Sequence, residues 1–262
     1  MRNKNKKKNL TADEVENNKE PNVRKKPSDD NELVNFYDII PKKFLTNASN
    51  PNFDIHHFEL PMRMCITAPS GSGKTNFLLN LIRVFSKGQG TFETIYIITS
   101  NKDEPLYNWL SQNFDQIKVL EGIKNTPNMD DFDKKFNTLV VWDDLVLNKN
   151  QDEIEKYFMR ARKQNCSVIY LSQSYYDVPK FIRKNSNYLA ILNLGGSARD
   201  KTSILKQWGS ELTADELNQI YNDATKTHMN PLIITGGKVD INKKYRSGFN
   251  KYYSITDLFG KT

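Results

Sequence analysis

The chain is 262 residues long and 37% hydrophobic, with 14 Phe and 12 Tyr, and its 38 basic side chains exceed 31 acidic ones for a formal charge of +7. That supports one large α/β domain with polar extensions, while two cysteines, Cys65 and Cys166, are too few for a disulfide scaffold and fall at expected strands as small core residues. No apolar run approaches the roughly 20 residues of a membrane span and the N-terminus lacks a signal-peptide stretch, so an intracellular protein is expected, with a basic surplus that suits an acidic partner such as nucleic acid.

Residues 1–32 begin with Arg2, Lys4, Lys6, Lys7 and Lys8 and are rich in Lys, Asn and Glu, so they cannot bury enough apolar surface to order themselves. A disordered basic arm is expected, either a localisation or nucleic-acid patch or a solvated tail. Residues 33–60 carry short apolar groups around Phe36, Ile39 and Phe44, broken by Pro41 and Pro51, and read as a lead-in packed on the core. The core itself is expected over 61–240. Strand signals recur at 63–67, 94–99, 138–142, 167–173, 188–194 and 231–235, and helical periodicity follows the first of them and recurs at 105–114, 152–163, 200–208 and 214–225. This alternation argues for βαβ units, hence an α/β fold with a mainly parallel sheet flanked by helices. Residues 241–262 read as a basic-aromatic tail. The interleaving of Lys and Arg with Tyr245, Phe249, Tyr252, Tyr253 and Phe259 suits stacking on nucleic-acid bases and suits a hairpin packed on the sheet edge equally well.

Ala68-Pro69-Ser70-Gly71-Ser72-Gly73-Lys74-Thr75 joins the first strand to its helix. Gly71 and Gly73 allow successive N–H groups to curl round the β-phosphate of a nucleotide at the helix start, Lys74 can reach the β- and γ-phosphates, and the Thr75 hydroxyl can bind Mg²⁺. Ala68 stands where the strict pattern has Gly, which is tolerable if the turn requires no positive φ there. The strand at 138–142 ends in Asp143-Asp144; Asp143 is assigned to the metal and Asp144 to the attacking water. Gln173 would lie beside the γ-phosphate if its strand runs between the loop strand and the Asp143 strand, and its amide could then sense that phosphate. Asn101-Lys102-Asp103-Glu104 imitates a guanine-reading motif but has Glu in place of the needed Asp and follows the second strand, so it is set aside. His56, His57 and His228 have no metal-ligand companions in the sequence.

Ala68 to Thr75, the run Leu139-Val140-Val141-Trp142-Asp143-Asp144, and above all Val168 to Pro179 followed by Ile182-Arg183 closely resemble the DNA-packaging ATPases of poxviruses, other large DNA viruses and virophages, within the FtsK-HerA superfamily of P-loop ATPases. The resemblance covers roughly 61–237. It implies a RecA-like sheet with an extra strand between the two nucleotide motifs, ATP and Mg²⁺ as cofactors, and a ring of identical subunits, a hexamer being favoured. It further implies movement of double-stranded DNA into a capsid, in the host cytoplasm or a viral factory or in association with the virion, with a capsid or membrane-associated vertex protein as a further partner. Cellular members usually carry Glu where Asp144 stands, which leaves Asp144 either as direct base or as the group that positions water. A ring also needs an arginine supplied in trans. Arg162 is the first choice, because the resemblance places a basic residue just before the Gln173 strand, and Arg199 is the second. The alternative readings are a helicase or other translocase of the same superfamily, and a non-motor DNA-binding or capsid-vertex protein with structural ATP.

Overall fold

Contacts divide the chain into two units, 1–46 and 47–262, and the computed structural model describes residues 33, 35, 39, 41, 49–148, 150–209 and 211–261. The expected arm at 1–32 and most of the lead-in before residue 49 lie outside the described residues. The second unit runs in the order α1 (Phe53–His56), β1 (Arg63–Thr67), α2 (Lys74–Phe85), β2 (Thr94–Thr99), α3 (Pro105–Asn113), β3 (Ile117–Glu121), β4 (Thr138–Asp143), α4 (Asp152–Arg160) and β5 (Cys166–Ser172). It continues through α5 (Lys180–Asn185), β6 (Tyr188–Ile191), α6 (Ala198–Trp208), α7 (Ala214–Thr225), β7 (Leu232–Thr235), β8 (Tyr245–Ser247), β9 (Lys251–Tyr252) and α8 (Ile255–Phe259).

The nine strands among the described residues join one sheet in the order β3-β2-β4-β5-β1-β6-β7-β8-β9. Neighbours from β3 to β6 are parallel, and the last three pairings are antiparallel. The two-residue period of a strand sends its apolar runs to both faces. In β4, Leu139 and Val141 belong to one buried cluster with Phe77, Leu81 and Phe85 of α2 and Tyr107 of α3, while Val140 and Trp142 belong to the other, where the Trp142 ring meets Tyr157 and Phe158 of α4. β5 runs between β1 and β4, the extra strand between the two motifs.

Several elements differ from expectation for local reasons. β3 buries only Ile117 fully and interposes Lys118 and Glu121, as an edge strand does, so its apolar signal is weak. α5 is six residues long, too short to show a helical period. The helix expected over 152–163 tightens after Arg160 into a 3₁₀ turn ended by Asn165 at φ 49°. The strand expected over 188–194 stops at Ile191, since the Leu194 N–H turns to the Tyr221 hydroxyl at 2.7 Å. Of the two readings of the C-terminal basic-aromatic segment, the hairpin packed on the sheet edge is the one present, as β8 and β9, with Tyr245 and Ile255 fully buried. Cys65 and Cys166 are buried thiols of β1 and β5.

Candidate functional site

The loop between β1 and α2 lies at the carboxyl end of a central parallel strand, where open α/β sheets form their ligand crevice. Gly71 (φ +76°) and Gly73 (φ +90°) adopt the left-handed backbone that lets the loop curl back, while Ala68 keeps a negative φ and is fully buried, so its methyl group causes no strain. Its N–H donates to the Ser172 carbonyl at 3.2 Å, tying the loop to the end of β5. Lys74 is 7% exposed and its ammonium donates to the Ala68 carbonyl at 2.9 Å. A buried cation held only by carbonyls is a ready partner for an anion.

Asp143 closes β4 and Asp144 follows it at φ +52°, so the two carboxylates diverge from one strand end. Asp143 is 5% exposed; one oxygen accepts from the Tyr107 hydroxyl and the other, Oδ1, is buried without a partner. Burial raises its pKa to about 6; the Tyr107 hydrogen bond works against that, and the Asp144 and Glu104 carboxylates add to it. Such a carboxylate lacks a cation. Among the described residues no group of three His, Cys, Asp or Glu could hold a metal. The orphaned Asp143 oxygen fits Mg²⁺, which uses one or two carboxylates together with substrate phosphates.

Gln173 follows β5, between β1 and β4 as its expected role required, and its amide donates to Asp144 Oδ2 at 3.3 Å. The next residues are tied to α6: Asp200, 3% exposed, accepts from the Ser174 hydroxyl at 2.9 Å and from the Tyr176 N–H at 2.8 Å. Arg199 lies over the Tyr176 ring, 3.3 Å from its centroid. Arg162 is not brought to this cluster. It is exposed and faces Arg63, whose pKa it helps burial to lower, at the start of β1 and thus the opposite end of that strand from Ala68.

Tyr107 is the residue that sequence reasoning missed. It was legible as one apolar position on a helix face, yet its hydroxyl donates to Asp143, the expected metal ligand at the end of β4. The only sequence signal was chemical: a phenol that packs in a core needs a hydrogen-bond partner there.

The chain is similar in fold to solved structures of the genome packaging NTPase B204 from Sulfolobus turreted icosahedral virus 2. With the AMPPCP complex the identity is 16%, over 67% of this chain and 92% of that one, with a TM-score of 0.50. The ATP-gammaS complex gives 16% identity over 68% and 93%, with a TM-score of 0.49. ATPases 2 and 3 of EssC from Geobacillus thermodenitrificans give 11% identity over 70% and 41%, with a TM-score of 0.49. No curated protein sequence matches. The family model described as poxvirus A32 protein matches residues 52–234, which run from α1 through β7 and include the phosphate loop, both aspartates and Gln173. With more than two thirds of its length matched, the chain belongs to the poxvirus A32 protein family.

Proposed function

We propose that this protein is an ATP-hydrolysing motor that drives double-stranded viral DNA into a capsid. The observation that carries it is the hydrogen bond from Gln173 to Asp144 at the mouth of the phosphate loop, which joins a sensing amide to a water-orienting carboxylate across adjacent strand ends. A purely structural nucleotide site has no use for that pair. Membership of the poxvirus A32 family supports the reading, as does the fold shared with the genome packaging NTPase B204.

Lys74 exchanges its carbonyl partners for the β- and γ-phosphates, and the N–H groups of 71–75 hold the β-phosphate. Thr75 and Asp143 would hold Mg²⁺, which when bound neutralises charge on the phosphate oxygens. Asp144 orients the attacking water, and Gln173 exchanges its bond to Asp144 for the γ-phosphate. Gln173 is followed directly by the loop bound to Asp200, so its movement reaches α6. The working form is a ring of identical subunits, with a hexamer favoured, acting inside the infected cell beside a capsid or membrane-associated vertex protein. Among the described residues no helix is long and apolar enough to cross a membrane.

The test is turnover of ATP with and without duplex DNA, together with displacement of a DNA-bound roadblock. Duplex-stimulated hydrolysis with directional movement is expected. Lys74→Ala should lose both ATP binding and turnover, whereas Asp144→Asn should bind ATP but turn over slowly, by about 10²-fold or more. Binding of ATP without hydrolysis by the unaltered protein would leave only the structural-ATP alternative, and strand separation by the unaltered protein would favour the helicase.

A further inference from the structure

The sheet order dictates where a nucleotide lies along the phosphate loop. β5 and β4, which carry Gln173, Asp143 and Asp144, flank β1 on one side, so the terminal phosphate points that way. The nucleoside must leave on the other side, towards β6. On that side a cavity of about 370 Å³ adjoins Ser70, Gly71 and Ser72, closed by Asn193 after β6 and by the 225–230 segment between α7 and β7. Its volume is at the lower end of the roughly 300–1,000 Å³ of small-ligand sites.

Met229 is the unusual member of that wall. It adopts φ +64°, a left-handed backbone that a non-glycine residue rarely takes. The conformation places its side chain against the phosphate loop. A Cβ on Gly73 would come within 2.6 Å of Met229 Cγ, and the Asn76 amide, on the first turn of α2, is 2.6 Å from its sulfur. The segment is held from behind: the Asn230 amide donates to the Ala224 carbonyl at 2.6 Å and to the Ser247 hydroxyl of β8 at 2.7 Å. The left-handed backbone is thus supported by neighbours on two elements and presents the thioether to Gly73 and to Asn76 at the start of α2.

We propose that the cavity between Ser70–Ser72, Asn193 and the 225–230 segment is the ribose and purine subsite of the nucleotide, with the Met229 thioether as the surface on which the base lies. Sulfur packs favourably on aromatic rings, and an unbranched side chain adapts to the ring it meets. The proposal rests on the phosphate loop binding a nucleotide.

Calorimetry with Mg·ATP and with inorganic tripolyphosphate separates the subsite from the loop. The unaltered protein should bind ATP more tightly than tripolyphosphate, and Met229→Ala should lose about tenfold in ATP affinity with tripolyphosphate unchanged. Met229→Asn, which favours the left-handed backbone, should show the same selective loss, so that relief of strain is not the cause. Photolabelling with 8-azido-ATP should mark the peptide containing 227–230. Equal affinity for the two ligands, equal weakening of both by Met229→Ala, or a label confined to another segment would overturn the subsite. Failure of the unaltered protein to bind either ligand would overturn the nucleotide reading itself, and the subsite with it.

Discussion

The Tyr107 hydroxyl donates to Asp143, a bond that matters because a buried carboxylate without donors is costly. Tyr107→Phe removes the donor and leaves a second oxygen of Asp143 without a partner, so it should lower stability by about 1–3 kcal/mol in urea titration. An unchanged midpoint would show that the phenol does not support Asp143. His56 supplies a pH dependence. It is fully buried, its Nδ1 accepts from the Phe58 N–H at 3.0 Å, and its ring lies against Phe58 and Phe85. Burial lowers its pKa from 6.5 to about 4. Between those values the unfolded chain binds a proton that the folded chain refuses. Stability from this group is therefore complete above pH 6.5 and falls as the pH drops towards 4, by about 1–3 kcal/mol. Thermal melts at pH 7 and pH 5 should show the loss, and His56→Gln should flatten it; the same slope in both proteins would assign the acid sensitivity to other groups.

At the scale of elements, the C-terminal hairpin is part of the sheet. Arg246 of β8 is fully buried and its Nη1 donates to the carbonyls of His56, His57 and Phe249, locking α1 to the hairpin. Its guanidinium also lies 4.3 Å from the Phe58 ring centroid. Lys244 pairs with Glu211 at 2.6 Å, so of the basic residues that suggested a nucleic-acid tail, Lys244 and Arg246 are turned to internal work. Deleting 241–262 bares the β7 edge and removes the buried Tyr245, Tyr253 and Ile255. A melting temperature lower by about 10 °C or more is expected. If the truncated chain melts like the full one, the segment is an appendage after all.

For the whole molecule, the proposed ring would place a guanidinium of one subunit on a neighbour's γ-phosphate, and Arg162 and Arg199 are the candidates. Arg162 lies at the opposite end of β1 from its own phosphate loop, so in the proposed ring its γ-phosphate partner would belong to another subunit, whereas Arg199 lies over Tyr176 of the same chain. Arg162→Ala should therefore lower turnover by about 10³-fold while sparing ATP binding. Mixing it with Lys74→Ala subunits should restore activity, since some interfaces then pair an intact site with an intact arginine. A normal rate in Arg162→Ala, or a dead mixture, would pass the role to Arg199.

The sequence alone determined the features that depend on neighbours in the chain. The glycines of the phosphate loop, the buried parallel strands, the Thr213–Glu216 capping box and the acidic end of β4 are local patterns, and each has its expected place in the structure. The position of Gln173 was legible only as a condition, since strand order is set by long-range pairing; β5 between β1 and β4 satisfies it. Tyr107 on Asp143, Met229 on Gly73 and Arg246 on α1 belong to the tertiary structure alone. Each joins segments between 36 and 190 residues apart, and hydrophobic periodicity records which face of an element is buried without recording the polar atom that a buried side chain will meet.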